Sequence, residues 1–246
     1  MRTFKDDLYR DYMTTHVLPR KAAPSVAGFR KAAPSWRRMF SGLLPADKSA
    51  PILDAGCGTG SIVWWFQHEG FAAAEGVDLN PEAIAMAQAL GVEHLHHGDV
   101  QTFLAERPNR YALIVLRDVL EHFRPEDVMQ TLMRAREALL PGGRILIQVP
   151  NGQSPFFGTI RYGDFTHELA FAPSSMQQVL LATGFADVNI RGCPPAARGP
   201  RSWPRFLAWL VVERCYRFML WAESGKRHAV VTQNLIATAR RPITGP

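Results

Sequence analysis

The sequence predicts an α/β protein built on a doubly wound, mostly parallel sheet. Short apolar runs of strand length recur from residue 50 onward, and longer segments with a helical period alternate with them. The runs "YALIVLRD" (111–118) and "RILIQVP" (144–150) are apolar on both faces, as central parallel strands covered by helices must be. Repeated βα units of this length wind into one sheet with right-handed crossovers.

Taken in order, "PILDAG" (51–56) reads as a buried strand ended by glycine, and "SIVWWFQHEG" (61–70) as a helix closed by Gly70. "AEGVDL" (74–79) is the second strand. The helix "NPEAIAMAQALG" (80–91) carries its own punctuation: Asn80 as N-cap, Pro81 at the first helical position, Glu82 in the first turn and Gly91 as terminator. "GD" at 98–99 closes a third strand, and a helix over 125–140 separates the strands at 111–118 and 144–150. Beyond Pro150 the alternation breaks. A loop over 151–173 leads to a helix at 174–184, a strand at 187–192, an insertion at 193–231 and a last strand at 232–240. Long connections of this kind are usually functional. Residues 1–48 form a basic segment, read as a helical or irregular lid, in which "RKAAPS" occurs at 20–25 and 30–35; two copies do not make a solenoid.

Charge is distributed unevenly. Residues 1–40 carry nine Lys/Arg against three Asp/Glu, 41–190 nine against seventeen, and 191–246 ten against two. An acidic body with basic ends suggests contact with phosphates or a lipid surface. The opening "MRTFKDDLYRDYM" lacks the apolar core of a signal peptide, and three cysteines without metal-ligand spacing fit a reduced, cytoplasmic protein.

The most specific stretch is "ILDAGCGTG" (52–60), a strand running into a glycine-rich turn that opens a helix. Such glycines let the backbone approach a ligand and adopt left-handed angles. Asp54, before the first glycine, places a carboxylate where a cationic group can sit. Asp78 ends the next strand 22 residues after Gly56, where an acid grips ribose hydroxyls. Asp99 is placed to bond an adenine amino group. The turn lacks the GxGxxG spacing of dinucleotide enzymes.

These motifs strongly resemble those of the class I S-adenosylmethionine (SAM)-dependent methyltransferases, over roughly residues 50–192 and the final strand. The resemblance implies a Rossmann-like sheet of seven strands with an antiparallel last strand, SAM as cofactor and S-adenosylhomocysteine as product. It assigns cofactor binding to Asp54, Gly56, Cys57, Gly58 and Gly60 in the turn, Asp78 and Leu79 in "GVDLN", Asp99 and Val100 in "GDV", and Arg117 after the fourth strand. Cys57, Trp64 and Trp65 also read as buried packing residues.

Transfer to an alcohol or phenol gains from a base, and the loops after strands four and five both hold histidine. In "RYGDFTHELAFAPSS" (161–175), His167 is the first candidate base, with Asp164 or Glu168 orienting it and Arg161 and Tyr162 holding the acceptor. The bland alternative has Asp164, Thr166 and His167 merely pinning the loop. His122 in "DVLEHF" is the second candidate. That segment is similar to one in ubiquinone-type O-methyltransferases where a divalent metal binds. The matching residues are Asp118, Glu121 and His122, and Asp in place of Glu at the first position argues against a metal, so none is expected. "DFTHELAFAPSS" and "TQNLIATARRP" resemble bacterial methyltransferases of cell-surface glycan pathways. That resemblance implies O-methylation of a saccharide hydroxyl on a lipid-linked or phosphorylated glycan. A phenolic quinone precursor or other small molecule is the second reading, and a non-catalytic SAM-binding regulator a third. No nucleic acid partner is expected, since no "NPPY"-type motif follows strand four.

In the insertion, "FLAWLVVERCYRFMLWA" (206–222) is broken only by Glu213, Arg214 and Arg217, and its longest uncharged run is seven residues, too short to span a bilayer. Leu207, Val211, Cys215, Phe218 and Ala222 share one helical face; Phe206, Leu210 and Trp221 fall among the charges. Arg198, Arg201 and Arg205 precede them. Three readings stay open: it covers the body or the acceptor site, it mediates a homodimer, or residues 198–222 lie on an anionic membrane, which would make the protein peripheral at the inner face of the cytoplasmic membrane.

Overall fold

The computed structural model of the chain describes residues 8–9, 12–19, 22–195, 200–226 and 228–243. Arg198 and the first two residues of the 20–25 repeat copy lie outside them. Seven strands, β1 (Ile52–Ala55), β2 (Ala74–Asp78), β3 (Leu95–His97), β4 (Tyr111–Arg117), β5 (Leu139–Pro150), β6 (Ala186–Gly192) and β7 (Asn234–Arg240), form one sheet in the order β3-β2-β1-β4-β5-β7-β6. β1 pairs in parallel with β2 and β4. Only β7 runs against its neighbours, β5 and β6. The order reverses between β1 and β4, and the crevice outside the carboxyl ends of strands at such a switch point is where doubly wound sheets keep ligands.

The helices are α1 (Val26–Met39), α2 (Ser61–His68), α3 (Pro81–Ala89), α4 (Val100–Ala105), α5 (Pro125–Ala138), α6 (Phe157–Arg161), α7 (Pro173–Ala182) and α8 (Trp203–Ser224). They cover both faces, and the strand period of two divides the core accordingly. Ile52, Leu113, Val115 and Leu146 face the side of α1, α2 and α3. Leu53, Ile114, Leu116 and Ile147 face α4, α5 and α7. The Asn80 signal behaves as read, its Oδ1 accepting the Ala83 amide at 3.0 Å, while Asp99, read only as the end of a strand and an adenine contact, also caps α4 by accepting the Thr102 amide on Oδ1 at 2.9 Å.

Three elements differ from the sequence reading. β5 begins at Leu139 rather than 144, because "LLPGG" stays in the sheet through a register irregularity opposite β4. The 151–173 segment is not structureless: it contains α6 and a bridge between Asn151 and Phe171, and Asn151 Nδ2 donates to the carbonyls of Val230 and Thr232. The basic N-terminal segment is in part core. Ser25 caps α1, and Phe29, Trp36 and Phe40 are buried, with Phe40 stacked on Trp65 at 5.3 Å. Ahead of it, the five-residue π turn Met13–Val17 stands over the carboxyl edge of the sheet.

Candidate active site

Where β1 meets α2, Gly56, Gly58 and Gly60 all have positive φ, at +84°, +52° and +72°. Gly56 is the most constrained: a Cβ there would come within 2.3 Å of Val119 Cγ2. The turn is tied to β2 by the amides of Gly56 and Cys57, which donate to the Val77 carbonyl. Asp78 completes the tie, accepting the Gly58 amide on Oδ2 at 2.7 Å and the Asn80 amide on Oδ1 at 2.8 Å. Burial raises its pKa against the pull of those two bonds.

A cavity of about 960 Å³ opens over this turn. Its floor contains the predicted cofactor residues Gly56, Cys57, Gly58, Asp78, Leu79, Asp99, Val100 and Arg117. Asp54 and Gly60 stand behind that floor. Gly60 is where α2 starts, and a Cβ on it would press on Ala87 and Val92. Asp54 is 2% exposed, and Oδ1 has no hydrogen-bond partner among the described residues. Burial pushes its carboxyl up to about 7, with the Arg117 guanidinium pulling the other way. A buried acceptor without a donor and a glycine turn that excludes side chains together fit a ligand that brings its own hydrogen-bond donors.

The far wall comes from Tyr9, Tyr12, Met13 and Val17, from His122 and Phe123, and from Glu168. It is organised around Asp164, 6% exposed. Oδ2 accepts the Tyr12 hydroxyl at 2.5 Å and lies 3.3 Å from His16 Nε2. Oδ1 accepts the Thr166 amide and, at 2.7 Å, the Thr166 hydroxyl. Burial works to raise this carboxyl, but the bonds from Tyr12 and Thr166 and the nearby His16 win and hold it at about 2. Asp164 is therefore an anion at neutral pH.

That charge fixes a histidine. Thr166 has one hydroxyl proton and gives it to Asp164, so the 2.9 Å contact between Thr166 Oγ1 and His122 Nδ1 needs the proton on Nδ1. The ring of His122 lines the cavity. His167 sits behind it. Its Nδ1 donates to the Ile160 carbonyl at 3.1 Å, its ring meets His122 edge-on at 4.7 Å, and its side chain is 9% exposed. Burial lowers its pKa, with Asp164 opposing at 3.9 Å. The cavity wall thus includes the second-ranked histidine and leaves out the first.

The predicted acceptor residues divide. Glu168 lines the cavity, whereas Arg161 donates to the Glu168 carbonyl and lies over the Tyr162 ring, itself 74% exposed. Neither Arg161 nor Tyr162 is on the wall. The three residues matched to the metal-binding segment, where no metal is expected, also separate: donor atoms of Glu121, His122 and His167 lie within 4.8 Å of one another, while Asp118 accepts from Gln148 and pairs with Arg117. Glu121 is buried with Oε2 unpartnered among the described residues, and burial raises its pKa. Tyr9 and Tyr12 were missed by the sequence reading, which saw only charge there; two tyrosines three apart on one side of a helical turn were the available signal.

Tyr12→Phe tests the tie across the cavity. Asp164 has a folded pKa below its unfolded value of about 3.9, so its bonds stabilise fully above that pH, and the effect is lost as pH falls through about 2. The substitution is expected to cost about 1.5–3 kcal/mol at pH 7. The difference in urea midpoint between wild type and variant should shrink steadily from pH 5 to pH 2.5, and a constant difference would contradict this account.

A family model described as a methyltransferase domain matches residues 28–190. The N-terminal Xaa-Pro-Lys N-methyltransferase 2 of Danio rerio is 34% identical over 103 residues, 39% of this chain and 37% of that protein. The chain thus spans little more than a third of that curated relative's length. A SAM-dependent methyltransferase from Archaeoglobus fulgidus superposes with a TM-score of 0.66 at 21% identity, over 86% of this chain and 94% of that one. A phosphoethanolamine N-methyltransferase 2 of Haemonchus contortus, bound to phosphomonomethylethanolamine and S-adenosylhomocysteine, gives 0.64 at 20%, over 98% and 61%.

Proposed function

The chain belongs to the methyltransferase-domain family, and from that premise we propose that it is a class I SAM-dependent methyltransferase that methylates a hydroxyl oxygen of a saccharide carried on a lipid-linked or phosphorylated glycan. The observation that carries the reading is the chain His122 Nδ1–H to Thr166 hydroxyl to Asp164 carboxylate beside the cavity. An alcohol is a poor nucleophile until its proton leaves, and a base held in one tautomer by a buried carboxylate is suited to that task.

Bound SAM supplies an electrophilic methyl group on a sulfonium. The residues that would hold it are Gly56 to Gly58, whose backbone leaves room for it, Asp78 for ribose hydroxyls, and Asp99 and Val100 at the adenine, with Asp54 behind the turn. On the other side His122 Nε2 takes the acceptor's proton while Thr166 and Asp164 stabilise the resulting imidazolium. His167 fixes the plane of the His122 ring and touches no ligand. Glu168 and Asp127 offer carboxylates to neighbouring sugar hydroxyls, and Tyr9 and Tyr12 offer rings to a sugar face. A phenolic acceptor is the second reading, favoured by Met13, Val17, Phe29 and Phe123 in the same cavity.

The test uses methyl-labelled SAM with the protein and an envelope extract, separated into soluble glycan, lipid-linked glycan, quinone and amine fractions. Label in a glycan fraction, released by mild acid as a methylated sugar, is the expected result. Label confined to quinones would put the phenol first, and label confined to amines would overturn O-methylation.

A further inference from the structure

Helix α8 is 22 residues long and has no buried residue. Its orientation inverts the usual rule for a surface helix. The side turned to the body carries Phe206, Trp209, Glu213, Tyr216, Arg217 and Leu220, all half-buried. There the Glu213–Arg217 ion pair closes at 2.7 Å, and the Tyr216 hydroxyl donates to the Gln153 carbonyl at 2.8 Å. The opposite half is exposed and apolar: Trp203 is 51% exposed, Leu207 53%, Val211 61%, Phe218 64%, Met219 64% and Trp221 46%. At 100° per residue these fall within one half of the helix, and Trp203 and Trp221 stand on one line about 27 Å apart. Arg214 is the charge within that half. Arg201 and Arg205 at the start and Lys226 beyond the end are exposed too.

We propose that this face binds the surface of an anionic lipid bilayer, with α8 lying in the interfacial plane. No helix among the described residues is long and apolar enough to cross a membrane, so the helix lies on the bilayer rather than through it. Tryptophans at both ends of an apolar face are suited to the headgroup level. Arginine and lysine at the rim complement anionic headgroups. A second copy packed in parallel would set Arg201 and Arg205 against themselves; packed antiparallel it would bring Arg205 near the exposed Glu223, so the tryptophans at both ends, rather than the rim charges, favour lipid. Gln153, which anchors the helix, follows the carboxyl end of β5, so the bilayer would lie along the edge of the sheet that bears the cavity. Lipid binding stands whether or not the acceptor is a saccharide.

Phe206 and Trp209, half-buried, face the body and are left unchanged. The variant to make is Trp203→Ser, Leu207→Ser, Phe218→Ser and Trp221→Ser together, with unchanged SAM affinity by calorimetry as the check of folding. Full-length protein is sedimented with vesicles of phosphatidylglycerol and phosphatidylcholine, and with phosphatidylcholine alone. Wild type should partition to the anionic vesicles at least about tenfold more strongly than to neutral ones, and lose that preference in 0.5–1 M salt. The variant should lose at least about tenfold in partitioning. Wild type that stays in the supernatant, or a variant that binds like wild type, overturns the proposal. Dimers by light scattering that the variant dissolves, without sedimentation of either protein, would assign the face to a second copy instead.

Discussion

His122→Ala is expected to lower turnover by about 10²–10⁴-fold and to leave SAM affinity within a few-fold. The ring lines the cavity and is no part of the glycine turn, so its loss removes a proton acceptor and leaves the turn's own residues in place. Thr166→Val should give an intermediate loss, because it keeps the shape of the buried side chain and removes the hydroxyl that fixes the Nδ1 proton. Thr166→Ser should restore most of that loss, which a purely structural role for Thr166 would not require. His167→Ala should cost less than His122→Ala, since His167 is bound to the Ile160 carbonyl behind the wall. Single-turnover rates with saturating SAM separate these cases. Near wild-type turnover in His122→Ala, or a larger loss in His167→Ala, would return the catalytic role to the 161–175 segment.

Gly56→Ala is expected to damage stability and cofactor binding together. The residue has φ +84°, and a Cβ would sit 2.3 Å from Val119 Cγ2. The left-handed backbone costs an L-residue about 1–2 kcal/mol and the overlap about 1–3 kcal/mol more. For a chain of this size the melting temperature should fall on the order of 10 °C. Adding Val119→Ala should recover the steric part and leave the backbone part. Gly58→Ala isolates the latter: φ is +52° but nothing lies within 4 Å of its added Cβ. Thermal melts of the three variants, with SAM titrations alongside, check the division. Equal losses in Gly56→Ala and Gly58→Ala would show that Val119 is not the obstacle.

What the sequence made legible is what neighbours in the chain decide. Asn80 before Pro81 and the glycines after β1 announce themselves because each acts within about four residues. The proposed preference for His122 over His167 as the base is not of that kind. It depends on Thr166 reaching a residue 44 positions away and on Tyr12 reaching one 152 positions away, and no local pattern carries such a pairing. The periodicity of α8 likewise gave the angular grouping of its residues but not which side meets the body. That is settled by Tyr216 finding the Gln153 carbonyl and by the Glu213–Arg217 pair neutralising itself on the inner side. The 139–143 stretch misled because Pro and two Gly punctuate turns, while here they ride an irregular strand beside β4.

The place of β7 sets an order on biosynthesis. β6 finds its neighbour in the sheet only through β7, which slots between β6 and β5. A ribosome-bound chain that has released β6 must still deliver α8 and residues 234–240 before that edge can close. At typical synthesis rates of about 5–20 residues per second, the edge waits for seconds with the apolar α8 already emerged beside it. A nascent chain in that interval presents an unpaired strand and an unburied helix face together, and for this protein chaperone contact, or early contact with a lipid surface, would be most useful at that moment.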